Sequence, residues 1–370
     1  MGAENIEDNI KEWLLAELCK AYFEARLGKR KTRDEFEFEL NEFQNIVKLR
    51  DEILAREYHP SRGIAFVIDK PVIREIFAAP FRDRVVHHFL YNMVAEWWDR
   101  RFIEDSYSCR KGKGTLFGIK RLAHHMNSVS ENNTKRAYII KLDLQGYFMS
   151  LSRKGLFRRV NWGLDRQFPE GGWLKDTCRY LWREVIFDDP IIGVKKRGSE
   201  EDWVKLPKTK SLFAQEPGKG IVIGNLSSQL LSNIYLDMLD RFVRYELGYK
   251  HYGRYVDDFF FIVKEEEFEQ AKIDIGAIDQ FLKELGLVLH PKKRYVQEVD
   301  KGVEYLGAMV FPKIITPGRR IRHNFYVAME EFLLGIKDLD TIVSYLGQMK
   351  HMNGERVERK MLNMVYLKHE

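Results

Sequence analysis

Three carboxylates stand out because their neighbours argue against them. Asp257 and Asp258 lie side by side in "RYVDDFFFIV" (254–263), whose aromatic and aliphatic residues predict a buried β-hairpin. Asp143 sits near the end of another apolar run, "AYIIKLDL" (137–144), which predicts a strand. Like charges gathered in poorly solvated surroundings raise each other's pKa unless a cation neutralises them. Few, hard carboxylate oxygens with room left for water and phosphate oxygens suit Mg²⁺. Two such ions roughly 3.5–4 Å apart can activate an attacking hydroxyl and stabilise a leaving pyrophosphate. Adjacent strand residues point to opposite faces, so one aspartate of the pair should bind metal more directly, and Asp257 is the expected one. An Asp-Asp pair can also mark nothing more than a turn. The strand-like flanks, with no Gly or Asn following, weigh against that.

The elements that must position these groups follow from pattern. Residues 5–58 show apolar positions three and four apart and predict helices. "GIAFVIDKPVIREIF" predicts two short strands around Pro71, and "RVVHHFLYNMVAEWWDRRF" and "GTLFGIKRLAHHMNSVS" predict helices. "GIVIGNLSSQLLSNIYLDMLDRFVRYELG" reads as a turn followed by a long helix. A helix is expected over "EEFEQAKIDIGAIDQFLKELG", a strand over "VEYLGAMVFP", and helices from 320 to 370. Residues 160–215 read as less regular, with one helix near "LKDTCRYLWREVIF".

Composition narrows the class. With 370 residues, 45% of them hydrophobic, the chain can bury a large core or two to three subdomains. No apolar run reaches the roughly 18 residues of a membrane span, and the acidic start lacks a signal peptide's features. Met1-Gly2 opens like a myristoylation signal, but Ile6 stands where Ser or Thr is needed. Three scattered cysteines make neither a disulfide framework nor a zinc site, and a reducing cytoplasmic setting is expected. The net charge of +6 is mild. Basic clusters at 28–33, 109–114, 152–159, 208–210, 291–294 and 317–323 could track a polyanion such as nucleic acid, or could be solvated faces.

"YVDD" on a predicted hairpin, with "KLDLQGYF" about 110 residues earlier, resembles the palm of reverse transcriptases. Other blocks resemble the family's in its order. "KPVIREIFAAPFRDRVVHHFL" and "DSYSCRKGKGT" are similar to its two fingers blocks, and "KGIVIGNLSSQLLSNIYLDMLD" to the block beside the nascent base pair. "LGLVLHPKKRYV" and "VEYLGAMV" resemble its lysine-bearing and primer-grip blocks. The likeness spans residues 60–350. It implies an α+β right-hand polymerase: an N-terminal helical segment (1–60), fingers (61–135), a palm (136–312, an antiparallel sheet with helices on one face, with fingers elements and an insertion near 160–215) and a short helical thumb (313–370). It also implies that Asp143, Asp257 and Asp258 hold two Mg²⁺ ions, with the Leu144 carbonyl as a further ligand. Phe148 falls at the sugar-discriminating position, where a ring collides with a 2′-hydroxyl. Arg74, Arg82, Arg84 and Arg110 are candidates for the dNTP triphosphate or for template phosphates. Lys292 or Lys293 would neutralise or protonate the pyrophosphate. Tyr305, Leu306 and Gly307 would seat the primer end.

"IGNLSSQ" (223–229) separates kinds of reverse transcriptase. Many carry Gln at the position of Ile223 and Pro at that of Gln229. The pattern here resembles enzymes of diversity-generating retroelements and their bacterial relatives, in which a branched residue replacing Gln accompanies misincorporation at template adenines. The resemblance implies a structured template RNA, a cDNA product and a small basic helical-bundle accessory protein forming a pentamer. The alternatives are a phage-defence enzyme copying a non-coding RNA, and a catalytically silent RNA-binding scaffold. The short stretch after the primer grip carries no HNH-like or ribonuclease H pattern, which counts against a group II intron protein.

Overall fold

The computed structural model describes residues 3–27, 32–70 and 72–368. The Met1-Gly2 start, most of the basic run at 28–33, and Pro71 therefore lie outside the described residues. The chain forms two compact units that exchange segments: Met1–Phe102, Gln145–Met238 and Leu282–Val288 make one, Ile103–Leu144, Leu239–Phe281 and Leu289–Glu370 the other. The class is α+β, as expected, and strand pairing is antiparallel except for one short parallel pair. No helix among the described residues is long and apolar enough to cross a membrane.

In the first unit the N-terminal helices are Ala3–Arg26, Arg33–Glu39 and Glu42–Leu54. Leu14, Leu18, Ala21, Tyr22 and Ala25 recur at helical spacing and are buried, where the first helix packs on helix Phe81–Asp99. Strands are numbered along the chain. β1 (Ile64–Ile68) pairs antiparallel with β2 (Arg74–Ala78), the expected hairpin, and the two-residue β4 (Lys195–Lys196) lies parallel to β1. Helix Arg153–Gln167 starts before the stretch read as less regular and runs into it. Ser152 caps it, its side chain accepting from the Gly155 N–H at 3.1 Å.

The second unit is built on a four-stranded sheet in the order β5-β6-β3-β7, with β3 Ala137–Leu144, β5 Tyr252–Tyr255, β6 Asp258–Lys264 and β7 Leu289–Glu298. The central strand β6 is buried without interruption from Phe259 to Val263 because both of its faces are covered. Phe260 and Ile262 join Ile139 in a core with Ile119, Leu122 and Met126 of helix Thr115–Val129. Phe261 points the other way, its ring 4.4 Å from that of Tyr249. A second sheet, β8 (Val303–Tyr305), β9 (Ala308–Val310) and β10 (Ile315–Pro317), adds Val303, Tyr305, Ala308 and Val310 to the first core. Helices Arg319–Leu333, Leu339–Met349 and Glu355–Lys368 close the chain around Phe325, Met329, Ile342 and Met349.

Candidate active site

Asp143 and Asp258 are direct cross-strand partners on β3 and β6. Opposed residues on neighbouring strands hold their Cβ atoms about 4.5–5.5 Å apart, and like charges there repel. Two lysines answer this repulsion. Lys141, two residues before Asp143 on β3, places Nζ 3.2 Å from Asp258 Oδ2 and donates to the Glu304 carbonyl at 3.0 Å. Lys293 donates to both Asp143 oxygens, at 2.9 and 3.0 Å. Burial, reinforced by Asp143 and Asp257 and only partly offset by Lys141, pushes the Asp258 carboxyl up to about 6.

The reach of Lys293 comes from an irregularity in β7. Leu144 pairs with Leu289 and Leu142 with Arg294, so the four residues His290–Lys293 stand opposite the single residue Asp143. Such a bulge re-aims side chains. Lys292 is exposed and its N–H is held by His290 Nδ1 at 3.2 Å, whereas Lys293 reaches the carboxylate.

Asp257 lies in the turn of the β5–β6 hairpin. Tyr255 pairs with Asp258, leaving Val256 and Asp257 as a two-residue loop. The Asp257 carbonyl accepts from the Leu144 N–H at 3.2 Å, tying the turn to the end of β3. The register thus sets Asp258 rather than Asp257 opposite Asp143.

Among the described residues, no group of three or more His, Cys, Asp or Glu side chains is arranged to hold a metal ion as it stands. The donor set nonetheless suits a hard cation. Two opposed carboxylates supply oxygen, and buried Asp258 Oδ1 has no hydrogen-bond partner. Asp143 and Asp258 face lysine ammonium groups, which a divalent ion can replace in charge.

The other expected site residues have these positions. Tyr305 is fully buried in the core, its ring edge-on to Phe260, and its hydroxyl lacks a partner. Leu306 and Gly307, both at positive φ (49° and 88°), form the two-residue β8–β9 turn. Arg110 is turned inward, donating to the carbonyls of Ile103 and Ser106 at 2.6 and 3.0 Å. In the first unit, Arg82 pairs with Glu52 and Asp83 and lies over the Tyr58 ring. Arg74 is exposed on β2, and Arg84 and Gln229 line one open cleft with Arg62 and Arg197. Phe148 and Ile223 are half-buried against one cluster that includes Phe77, Met149 and Leu212. Two backbone bonds fix this segment: Ile221 N–H to the Phe148 carbonyl and Phe77 N–H to the Ile223 carbonyl, each at 2.9 Å. Lys141 carries no motif of its own in the sequence. Its signal was position, two residues before Asp143 and on the same face of β3.

Residues 69–310, well over half of the chain, match the family model described as "Reverse transcriptase (RNA-dependent DNA polymerase)". No curated protein matches the sequence. Among solved structures, apo telomerase from Candida tropicalis is similar over 78% of this chain and 56% of that one, with TM-score 0.46 and 13% identity. The Candida tropicalis telomerase in complex with a TWJ fragment of telomeric RNA covers 84% and 55%, at TM-score 0.49 and 13% identity. The corresponding Candida albicans complex covers 85% and 57%, at 0.49 and 12%. The chain spans about half the length of these telomerase chains.

Proposed function

The chain belongs to the reverse transcriptase family, and we propose that it is an RNA-directed DNA polymerase copying a structured RNA into cDNA. The observation that carries this reading is Asp143 facing Asp258 across β3 and β6, inside the matched region, with Asp257 in the adjoining turn. Two Mg²⁺ ions held by Asp143, Asp257, Asp258 and the Leu144 carbonyl would supply activation of the primer hydroxyl and charge stabilisation on the leaving pyrophosphate. The protein's own part is positioning. Paired strands fix the carboxylates, and the Leu144 N–H fixes the turn.

Lys293, 56% exposed, can swing from Asp143 to neutralise or protonate pyrophosphate; its long stem and single point charge suit that role. Phe148 excludes a 2′-hydroxyl by steric contact, favouring dNTPs. Arg74 and Arg84, with Gln229, are the groups on the fingers side that meet phosphate, and the Leu306-Gly307 turn seats the primer end. In this reading fingers, palm and thumb occupy 61–135, 136–312 and 313–370.

The biology we infer is error-prone cDNA synthesis for a diversity-generating retroelement, in the cytoplasm. It rests on "IGNLSSQ", where apolar Ile223 replaces an amide able to hydrogen-bond near the incoming nucleotide. The partners are then the template RNA and a small basic helical-bundle pentamer. The test is primer extension by purified protein with Mg²⁺, dNTPs and co-purifying RNA, followed by sequencing of RNA and product. Errors concentrated at template adenines support the reading. Accurate cDNA from an unrelated non-coding RNA turns it toward phage defence. RNA binding without extension makes the protein a scaffold.

A further inference from the structure

The turn carrying Asp257 adopts a conformation its residues disfavour. Val256 has φ of 56°, in the left-handed region where a β-branched side chain crowds the backbone. Asp257 does not share the positive φ, and that combination belongs to a turn whose first position is normally glycine. A strained residue persists only when its surroundings over-determine it.

Arg254 supplies that determination. Its guanidinium is fully buried and donates from Nη1 to the Val256 carbonyl at 3.0 Å. Nε and Nη2 donate to the two oxygens of Asp240 at 2.6 Å each, and Nη2 also reaches Ser106 Oγ at 3.2 Å. Asp240 is itself fully buried and accepts from the Tyr252 hydroxyl at 2.6 Å. The Arg254 backbone is pinned as well: its N–H donates to the Asp105 carbonyl (2.8 Å) and its carbonyl accepts from Tyr107 (2.9 Å). A planar fork locked on a carboxylate cannot turn, so Nη1 stays aimed at one carbonyl. Burying an ion pair is a poor route to stability, so the pair calls for another explanation.

We propose that Asp240 and Arg254 form a brace holding the Val256-Asp257 turn, and with it the carboxylates of Asp257 and Asp258, in the reactive geometry. Arg254 is a positioning residue that acts through the Val256 carbonyl. The inference rests on the polymerase reading for its activity readout only.

The brace is needed because residue 256 is not glycine, and this makes it testable. Wild type, Arg254→Lys, Val256→Gly and the double variant are compared by kcat and KM in primer extension, and by hydrogen exchange of residues 142–146 and 255–259. A lysine keeps the charge beside Asp240 but cannot also span to the Val256 carbonyl. Arg254→Lys is expected to lose roughly 10- to 100-fold in kcat with KM for dNTP little changed. The Leu144 amide, which donates to Asp257, should exchange faster. Adding Val256→Gly restores kcat to near that of Val256→Gly alone and slows the exchange again, which a general folding defect would not do. Asp240→Asn, close in shape to aspartate, carries the same comparison if Arg254→Lys does not fold. Wild-type kcat and exchange in Arg254→Lys, or no rescue by Val256→Gly, overturns the brace. If wild type extends no primer, the polymerase reading fails separately, and the exchange comparison still decides.

Discussion

Lys141 Nζ stands 3.2 Å from Asp258 Oδ2 while donating to the Glu304 carbonyl, so an ammonium from β3 neutralises the carboxylate that opens β6. Asp258 still holds its proton up to about pH 6, chiefly because it is buried. Its folded pKa is raised above the unfolded carboxylate value. In the metal-free protein its charge therefore subtracts stability above pH 6, and protonation relieves this as pH falls below 6. Mg²⁺ should accordingly raise Tm more at pH 7.5 than at pH 5. Lys141→Met, which removes the cation favouring ionised Asp258, should move the onset of Mg²⁺ stabilisation to higher pH by roughly one unit. Thermal melts across pH with and without Mg²⁺ check this. An equal Mg²⁺ effect at both pH values would count against a divalent ion at Asp258.

Opposed charges that serve chemistry cost stability, so stability and activity should part at this site. Asp258→Asn keeps the shape and removes the repulsion across β3–β6. The metal-free variant should be more stable at pH 7.5 by on the order of 1 kcal/mol in urea unfolding. Its primer extension, like that of Asp143→Ala and Asp257→Ala, should fall to background. Activity surviving in any of the three removes that residue from the metal-binding set.

The aspartates were legible because apolar flanks make a charge conspicuous, and β3 and β6 were legible through the same flanks. β7 was not. "LHPKKRYVQE" is an edge strand exposed over most of its length, so it lacks the alternation that marks a half-buried strand, and it tolerates Pro291. Lys141 was hidden by its type, since a lysine on a strand reads as solvated until its partner is seen. Helix Arg153–Gln167 was hidden by polar residues, although Ser152 announced its start. The Val256-Asp257 turn carries no Gly or Asn, because tertiary hydrogen bonds rather than local preference fix it.

Gly307 in the β8–β9 turn and Gly318 just after β10 should respond differently to an added methyl group. A Cβ on Gly318 would come 2.6 Å from the Gly307 carbonyl oxygen, a backbone atom already held by the Gly318 N–H at 2.8 Å. A Cβ on Gly307 would meet the mobile end of Ile321 at 2.8 Å, and φ there is 88°. Gly307→Ala should cost about 1–2 kcal/mol from backbone strain alone. Gly318→Ala should cost more, about 2–3 kcal/mol, because a backbone atom cannot rotate aside. Urea melts of both variants test the order, and the reverse order would mean that the β8–β9 turn gives way more easily than its side chains.

His87 should make the first unit acid-labile. It is buried on helix Phe81–Asp99, Nδ1 has no partner, and burial, helped by His88 and Arg84, lowers its pKa to about 4. The folded value lies below the unfolded 6.5. Stability is therefore intact above pH 6.5 and declines as pH falls from 6.5 toward 4, by on the order of 3 kcal/mol. His87→Leu, which cannot titrate, should lose distinctly less stability than wild type between pH 7 and 4.5. Parallel losses would assign the acid sensitivity to other groups.

Ile223 offers the sharpest test of the biology. Its carbonyl is held by the Phe77 N–H, a bond that does not depend on the side chain, and the side chain is only half-buried against the Phe148 cluster. Ile223→Gln can therefore keep the backbone in place at a cost of about 1 kcal/mol, its amide turned to the open side. If loss of an amide here relaxes mismatch rejection, restoring it should lower misincorporation opposite template adenine several-fold and leave errors at other bases nearly unchanged. Deep sequencing of cDNA from both enzymes on one RNA template reads this directly. An unaltered adenine error rate would assign Ile223 to packing and would remove the sequence signal for diversity generation, leaving a polymerase of the same chemistry with a different use.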